Sequence, residues 1–407
     1  MSRTVQDVVD VFRRTMHIPD PTYIYLALAA ALNIRRPGDD PIWLLIVGPP
    51  SSGKTEVLRA ICEAMDEAVQ VGSLTAAALL TVRWTDDGPE AGGILPDQVG
   101  DRGILVASDF GTLLSETPDT RKKACAVLRE GYDGKALRGL GGRQYIWEGH
   151  VNFIGACTDG AIDDPSLDLG ILGDRFTYHR LSEFTDDDED LACDKSTEGA
   201  GRRKEVRAGY VLVIAEFFDG LSLPTKSPKP ARPDHNRIKT LARLGARCRS
   251  SIPRNGYSRE IDTVPMAERS MRLYDELRQF YVWLTIIGTP TECLWEGLVS
   301  VALDGMSPIR RRIIDYLLTV DEPKTTGTIA ARLALPRTTT ERELENLTAH
   351  QILDKTGFDP AMWAPSSRLL GAWWAVDGES PVQSSDTGTV QKVTESFPEA
   401  TEEVQSL

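Results

Sequence analysis

The sequence predicts an α/β protein. It reads as a P-loop parallel sheet with a helical lid, a compact C-terminal module and a disordered acidic tail. Three observations lead there. Residues 48–55 read GPPSSGKT, the G-x-x-x-x-G-K-[ST] phosphate loop, set between an apolar run (42–47) and an amphipathic stretch. Short apolar runs at 104–107 and 151–157 alternate with helical patterns, as the strands of a parallel sheet do. Beyond a joint marked by Pro224, Pro228, Pro230 and Pro233 the pattern turns helical.

Composition bounds the rest. The chain has 407 residues, 41% hydrophobic and 26% charged, which is ordinary for a soluble protein of two or three domains. The longest apolar run, residues 23–32, is too short to span a bilayer and reads as a buried helix. The start is polar, without a signal-peptide core. Six scattered cysteines with no C-x-x-C read as reduced packing residues of a cytosolic protein. The five histidines lack metal-ligand spacing. A net charge of −14 excludes a general polyanion clamp, yet the charge is uneven. Residues 226–259 carry ten basic residues against Asp234, and residues 377–407 carry seven acids against Lys392. The acidic run at 185–190 reads as a solvated loop.

The elements follow in order. Residues 5–33 read as two helices broken at Pro19 and Pro21. The apolar run 42–47 is the strand that delivers the chain to the loop. The next helix carries Val57, Leu58, Ile61, Cys62 and Met65 on one stripe. Residues 69–71 form a short strand, and Ser73 or Thr75 caps a helix through Leu80. Residues 86–103 are rich in Gly, Pro and Asp and read as loop. Residues 104–107 are a buried strand. Thr117 caps a helix from Pro118 to Tyr132, with proline at its first position. Residues 133–147 read as a β-hairpin with a Gly/Arg tip, 151–157 as a buried strand and 176–181 as the last strand of the sheet. The domain boundaries are then 1–40, 41–222, 223–305, 306–375 and 376–407.

The phosphate loop carries the most specific chemistry. Gly48 and Gly53 let backbone approach phosphate, while Pro49, Pro50, Ser51 and Ser52 complete the wrap. The following helix points free N–H groups and its positive dipole end at the anion. Lys54 reaches the β/γ-phosphates of ATP, and the Thr55 hydroxyl ligates Mg²⁺. Hydrolysis also needs acids beside the metal and the attacking water. Asp109, after the strand 104–107, is the candidate for both catalysis and Mg²⁺. Its register is open. Either Asp109 is the magnesium-side acid and Phe110 stands where a glutamate is usual, or Asp109 takes the glutamate position and Ser108 replaces the aspartate. One carboxylate is missing in both cases, and Glu116, Glu130 and Asp133 are the substitutes.

This order of parts resembles the AAA+ family of P-loop ATPases over roughly residues 42–284. The resemblance implies that Thr158 is the sensor-1 residue at the γ-phosphate. It implies that Arg175, in residues 173–176 (GDRF), is an arginine finger acting in a neighbouring subunit, against the alternative of an ion pair with Asp174 or Asp168. It implies that Arg272 begins the helix carrying sensor 2, with Arg243 as a competitor. The hairpin before the sensor strand resembles the pore hairpin of DNA-translocating members, so Lys135, Arg138 and Arg143 would grip phosphates. Lys239, Arg243 and Arg247 share one helical face and offer a second polyanion contact.

Residues 308–357 resemble a winged helix-turn-helix domain. Ile309, Ile313, Leu317 and Leu318 mark a first helix, Thr325 caps a second, and residues 337–349 form the third. That helix would enter a major groove with Arg337, Thr339, Thr340 and Arg342. Against this, Glu341, Glu343 and Glu345 lie on the same helix. The whole resembles ATPases of mobile elements and phages. Two readings follow: an ATP-driven DNA motor or initiator assembled as a ring or arc, and an ATP-gated transcriptional regulator.

Overall fold

The computed structural model describes residues 3–72, 74–162, 175–198, 201–250, 252–255, 257 and 260–377. Ser73, Asp168, Gly173, Asp174 and the acidic tail beyond Asp377 lie outside them. The chain opens with α1 (Val5–Arg13) and α2 (Thr22–Leu32). Thr4 and Asp7 close a reciprocal capping box on α1. Every residue of α2 is buried, as its apolar sequence requires. Next come β1 (Trp43–Val47), α3 (Lys54–Glu63), β2 (Ala68–Gln70) and the short α4 (Ala76–Leu79), which Thr75 caps. A hairpin of β3 (Thr81–Thr85) and β4 (Gly88–Gly92) precedes β5 (Arg102–Ala107). Then follow α5 (Gly111–Leu114), α6 (Pro118–Tyr132), a second hairpin of β6 (Lys135–Leu140) and β7 (Arg143–Glu148), β8 (His150–Cys157), α7 (Asp159–Ile162) and β9 (Thr177–Arg180).

Strand order in the five-stranded sheet is β2-β5-β8-β1-β9, and every pair is parallel. β1 lies inside and is buried on both faces. Alternation sends Leu44 and Ile46 into a core with α2 and α3, and Trp43, Leu45 and Val47 into a second core with Phe110, Phe153 and Phe176. The sheet is therefore the middle of three layers. The C-terminal ends of its strands form one edge, where ligands of such sheets collect.

After β9 the chain is helical: α8 (Asp186–Glu198), α9 (Arg203–Gly220), α10 (Arg232–Arg249), α11 (Met271–Ile286), α12 (Thr291–Leu303) and α13 (Pro308–Leu318). The last part runs β10 (Lys324–Thr325), α14 (Thr326–Arg332), α15 (Arg337–Ala349), β11 (Leu353–Thr356), β12 (Met362–Pro365) and α16 (Ser367–Asp377). Its three strands pair in the order β10-β12-β11, which completes a winged helix around α13, α14 and α15. One hydrophobic cluster runs without interruption from Val5 through α9–α12 to Trp363 and Leu369. Among the described residues no helix is long and apolar enough to cross a membrane.

Two expectations are corrected. Residues 86–103 are not loop throughout. The β-prone residues 81–85 pair with 88–92 across a turn where Gly88 adopts φ 114°, and 95–99 form a π-helical turn. The acidic run at 185–190 is also not loop. Thr185 N donates to Asp188 Oδ2 (3.0 Å) while Asp188 N donates to Thr185 Oγ1 (3.2 Å), another capping box. Asp186, Asp187, Asp188 and Glu189 then fill the first turn of α8, where the helix dipole favours them.

Candidate nucleotide cleft and nucleic-acid surfaces

A cleft of about 650 Å³ opens over the loop between β1 and α3. The loop takes its shape from two backbone requirements. A Cβ on Gly48 would sit 3.0 Å from the Leu181 side chain, and Gly53 holds φ 81° as it enters α3. Lys54 is folded into the loop, 6% exposed. Its ammonium donates to Gly48 O (2.8 Å), Pro49 O (2.6 Å) and Ser52 Oγ (2.9 Å). Burial lowers its pKa. Pro50, Ser51, Ser52, Gly53, Lys54 and Thr55 line the cleft, and Asp109 and Thr158 face them from the ends of β5 and β8.

Ser108, Asp109 and Phe110 differ in what they face. Phe110 is fully buried, with its ring 5.5 Å from Phe153 and 5.6 Å from Phe176. It belongs to the aromatic core and cannot face a nucleotide. Ser108 continues the Ile104–Val106 face of β5, towards α3, and its carbonyl accepts from Thr55 Oγ1 at 3.4 Å. Ser108 Oγ is buried without a hydrogen-bond partner among the described residues. Ser108 thus stands beside Thr55, and Asp109 stands one step outward, exposed, with Oδ1 accepting from Gly111 N (3.0 Å). The proposed substitutes are elsewhere. Glu130 accepts from Leu137 N (2.9 Å), Asp133 pairs with Arg175, and Glu116 does not line the cleft. Among the described residues the lining carboxylates are Glu56 and Asp109, and Glu56 is held bidentately by Arg207 (2.8 and 2.9 Å).

The roof comes from helices whose role the sequence did not disclose. α8 contributes Lys195, α9 contributes Arg203 and Tyr210, and the segment between α1 and α2 contributes His17. His17 Nε2 lies 2.7 Å from Asp188 Oδ1, and this bond, with those from Thr185, lowers the Asp188 pKa to about 2. The Arg207–Glu56 pair ties α9 to α3. Arg272 is not part of this roof. It is exposed on α11, near enough to Tyr132 to bear on that phenol. The basic side chains that reach the cleft from beyond β9 are Lys195 and Arg203 instead. The missed signal was their position on helices that pack against α1 and α3, which depends on tertiary structure. Arg175 precedes β9, at the opposite edge of the sheet from the phosphate loop. It pairs with Asp133 (2.7 Å) and lies 5.5 Å from the Tyr132 ring centre. Among the described residues its ion pair is with Asp133, while Asp168 and Asp174, considered from the sequence, lie outside them.

The three basic surfaces differ in what they leave open. On the β6–β7 hairpin, Gly141 and Gly142 turn with φ 57° and 76°, the signature of a two-residue primed turn. Arg143 is exposed, Arg138 is half-buried, and Lys135 pairs with Glu148 (2.6 Å). The neighbouring β3–β4 hairpin holds Trp84, which is 75% exposed. On α10, Lys239 is half-buried and Arg243 exposed, but Arg247 donates to His350 O (3.2 Å) and serves the contact with the winged helix. On α15, Arg337, Thr338, Glu341 and Arg342 are exposed and Thr339 is half-buried. Thr340 is fully buried and donates to Pro336 O (3.0 Å), so it reads no base. The acidic objection weakens: Glu343 is buried against Arg310 (2.6 Å) and Glu345 pairs with Arg254 (3.0 Å), which leaves Glu341 on the outer face.

A family model described as a helix-turn-helix domain matches residues 306–356. No curated protein matches the chain. Among solved structures, one from Cytophaga hutchinsonii described as a "putative ATPase" overlaps with a TM-score of 0.43 at 14% identity, covering 74% of this chain and 86% of that one. An overlap of that size carries no argument about ligand or activity. The chain is a mixed α/β protein with a parallel five-stranded sheet and a C-terminal helix-turn-helix region.

Proposed function

We propose that the protein binds Mg²⁺-ATP in the cleft over residues 48–55, hydrolyses it, and binds DNA through its winged helix. One observation carries this reading. Lys54 and Thr55 at the start of α3 face Asp109 and Thr158 across one cleft. These are the groups phosphoryl transfer asks for: a cation at the β/γ-phosphates, a hydroxyl for the metal, a carboxylate for the water and a polar group near the γ-phosphate. The donor set suits Mg²⁺ sparingly. Thr55 Oγ1 would ligate it, and Ser108 offers a hydroxyl where a carboxylate is usual, so waters and phosphate oxygens would complete the shell. Asp109 is the base that orients water. Arg203 and Lys195, rather than Arg272, would contact the triphosphate from the roof. Arg175 would leave Asp133 to act in a neighbouring subunit's cleft, which makes turnover depend on a ring or arc. Replication or maintenance of a mobile element is the finest part of this reading.

The DNA contacts divide by chemistry. Arg138 and Arg143 on the hairpin and Lys239 and Arg243 on α10 would meet phosphates, while Arg337 and Arg342 on α15 would meet base edges. The regulator reading is favoured by Ser108. A cleft short of one metal-side acid turns over slowly and can act as a switch. A steady-state ATPase measurement with and without duplex DNA separates the two. DNA-stimulated turnover that vanishes in Lys54→Ala supports the motor. Tight ATP binding with negligible turnover, and operator binding that responds to ATP, supports the switch. Undiminished ATP affinity in Lys54→Ala removes both.

A further inference from the structure

The β3–β4 and β6–β7 hairpins lie side by side, with β3 near β6 and β4 near β7. Residues two apart on a strand share a face. On β4 Ala91 packs on the aromatic core, and Pro89, with Trp84 opposite it on β3, continues that face towards the turn. On β7 Trp147, with Ala136 opposite it on β6, is buried in the same core, and Tyr145, Arg138, Arg143 and Leu140 continue that face towards its tip. Both faces outrun the core. Trp84 ends 75% exposed and Leu140 46% exposed. Large apolar groups left in water on adjacent elements mark a surface that meets a partner.

Charge says which partner. On the first hairpin Glu90 and Asp97 hold Arg83 (2.7 and 2.9 Å), which leaves the turn acids Asp86 and Asp87 exposed and without an ion pair among the described residues. On the second Glu148 holds Lys135 (2.6 Å), which leaves Arg138 and Arg143 without one among the described residues. Two carboxylates on one hairpin and two guanidiniums on its neighbour therefore remain open, and within one chain they do not meet.

Nucleic acid is a poor occupant for the whole patch. Bases stack on an aromatic ring where cations hold the phosphates, and the open charges next to Trp84 in sequence are negative. A second copy of the chain suits both halves. A patch with an acidic half and a basic half is its own complement when turned about a twofold axis, which is the condition for an isologous dimer. Trp84 then supplies the apolar anchor, since tryptophan is among the residues that dominate such contacts.

We propose that the two hairpins dock onto the same hairpins of a second copy, with Asp86 and Asp87 of each chain facing Arg138 and Arg143 of the other and Trp84 packed against Leu140. This contact does not rest on the Arg175 reading. The test is sedimentation velocity of the full chain without nucleotide or nucleic acid, because nucleic acid on Arg138 and Arg143 would compete. Concentration-dependent dimerisation that weakens with salt is expected. Asp86→Lys with Asp87→Lys, and separately Arg138→Glu with Arg143→Glu, should each weaken it about tenfold or more, because like charges then face one another. Mixing the two double variants should restore it, since both halves of the contact again pair opposite charges. Trp84→Ser should also weaken it about tenfold or more. All five positions are exposed or half-buried, and unchanged melting temperatures verify the folds. A chain that stays monomeric at every concentration overturns the proposal. So does a pair of charge-reversed variants that mixing does not restore. A dimer that survives Trp84→Ser and both charge reversals also overturns it, and shows assembly through another surface, which leaves the Arg175 contact to its own test.

Discussion

At the scale of single residues, the cleft makes separable demands. The Lys54 ammonium already lies inside the loop, held by two carbonyls and a hydroxyl, and phosphate would replace them. Lys54→Ala should weaken ATP by about 100-fold or more, since charge-assisted phosphate contacts are the strong ones. Titration with a fluorescent nucleotide measures this, with circular dichroism to verify the fold. Asp109→Asn should preserve ATP binding and slow hydrolysis about 100-fold or more, as loss of a general base does. Normal turnover in that variant, read by phosphate release, would transfer the role to a residue outside the described cleft. Phe110→Ala tests the register separately. It should cost about 3–5 kcal/mol in urea denaturation, the range for emptying an aromatic core position, without changing ATP affinity.

At the scale of elements, boundaries were legible wherever local chemistry sets them. Thr117 caps α6 with Pro118 at its first position, Thr325 caps α14, and α15 spans Arg337–Ala349 as its pattern predicts. The strand–loop–helix at residues 43–63 was legible for the same reason, because a short motif fixes both strand and helix. The roof was not, since Lys195 and Arg203 gain meaning only when α8 and α9 fold back over the loop. Thr340 failed for a related reason: one helical face looks like another until its packing partners are known. The contact between α10 and the winged helix was also invisible. Arg310 and Glu343 are 33 residues apart in sequence, yet they meet in the interior, where Arg310 also donates to Cys248 O (3.0 Å) and Ser250 O (2.9 Å). Arg310→Ala should cost about 3–5 kcal/mol, because it strands the buried Glu343 carboxylate. A pH dependence belongs to the sheet. Burial and then Arg102 push the His150 pKa down to about 4. The unfolded chain takes up that proton first, near pH 6.5, so stability is full above 6.5 and falls as pH drops towards 4, by at most about 3 kcal/mol. His150→Gln should flatten that slope in denaturation curves collected across the window.

At the scale of the whole molecule, assembly is the open variable. Arg175 pairs with Asp133 at the far edge of the sheet from the cleft, so any catalytic work it does must be in another copy. Arg175→Ala and Lys54→Ala subunits, each inactive, should recover part of the ATPase rate when mixed. No recovery at any ratio, with mixed assemblies verified by mass, would confine Arg175 to its pair. DNA binding should separate the surfaces too. Neutralising Lys239 and Arg243 weakens all sequences and lowers the salt slope by about one unit per lost contact, whereas Arg337→Ala or Arg342→Ala relaxes preference at one base pair by about 1–3 kcal/mol. One apolar cluster joins α1 at the start of the chain to Trp363 near its end. A cut near residue 305 would expose greasy surface on both fragments, so neither half should purify as a well-behaved monomer, and calorimetry on the intact chain should record a single melting event. For the same reason a lineage could not readily exchange this helix-turn-helix region for another by recombination, because an incoming cassette would have to match the inner face of α10.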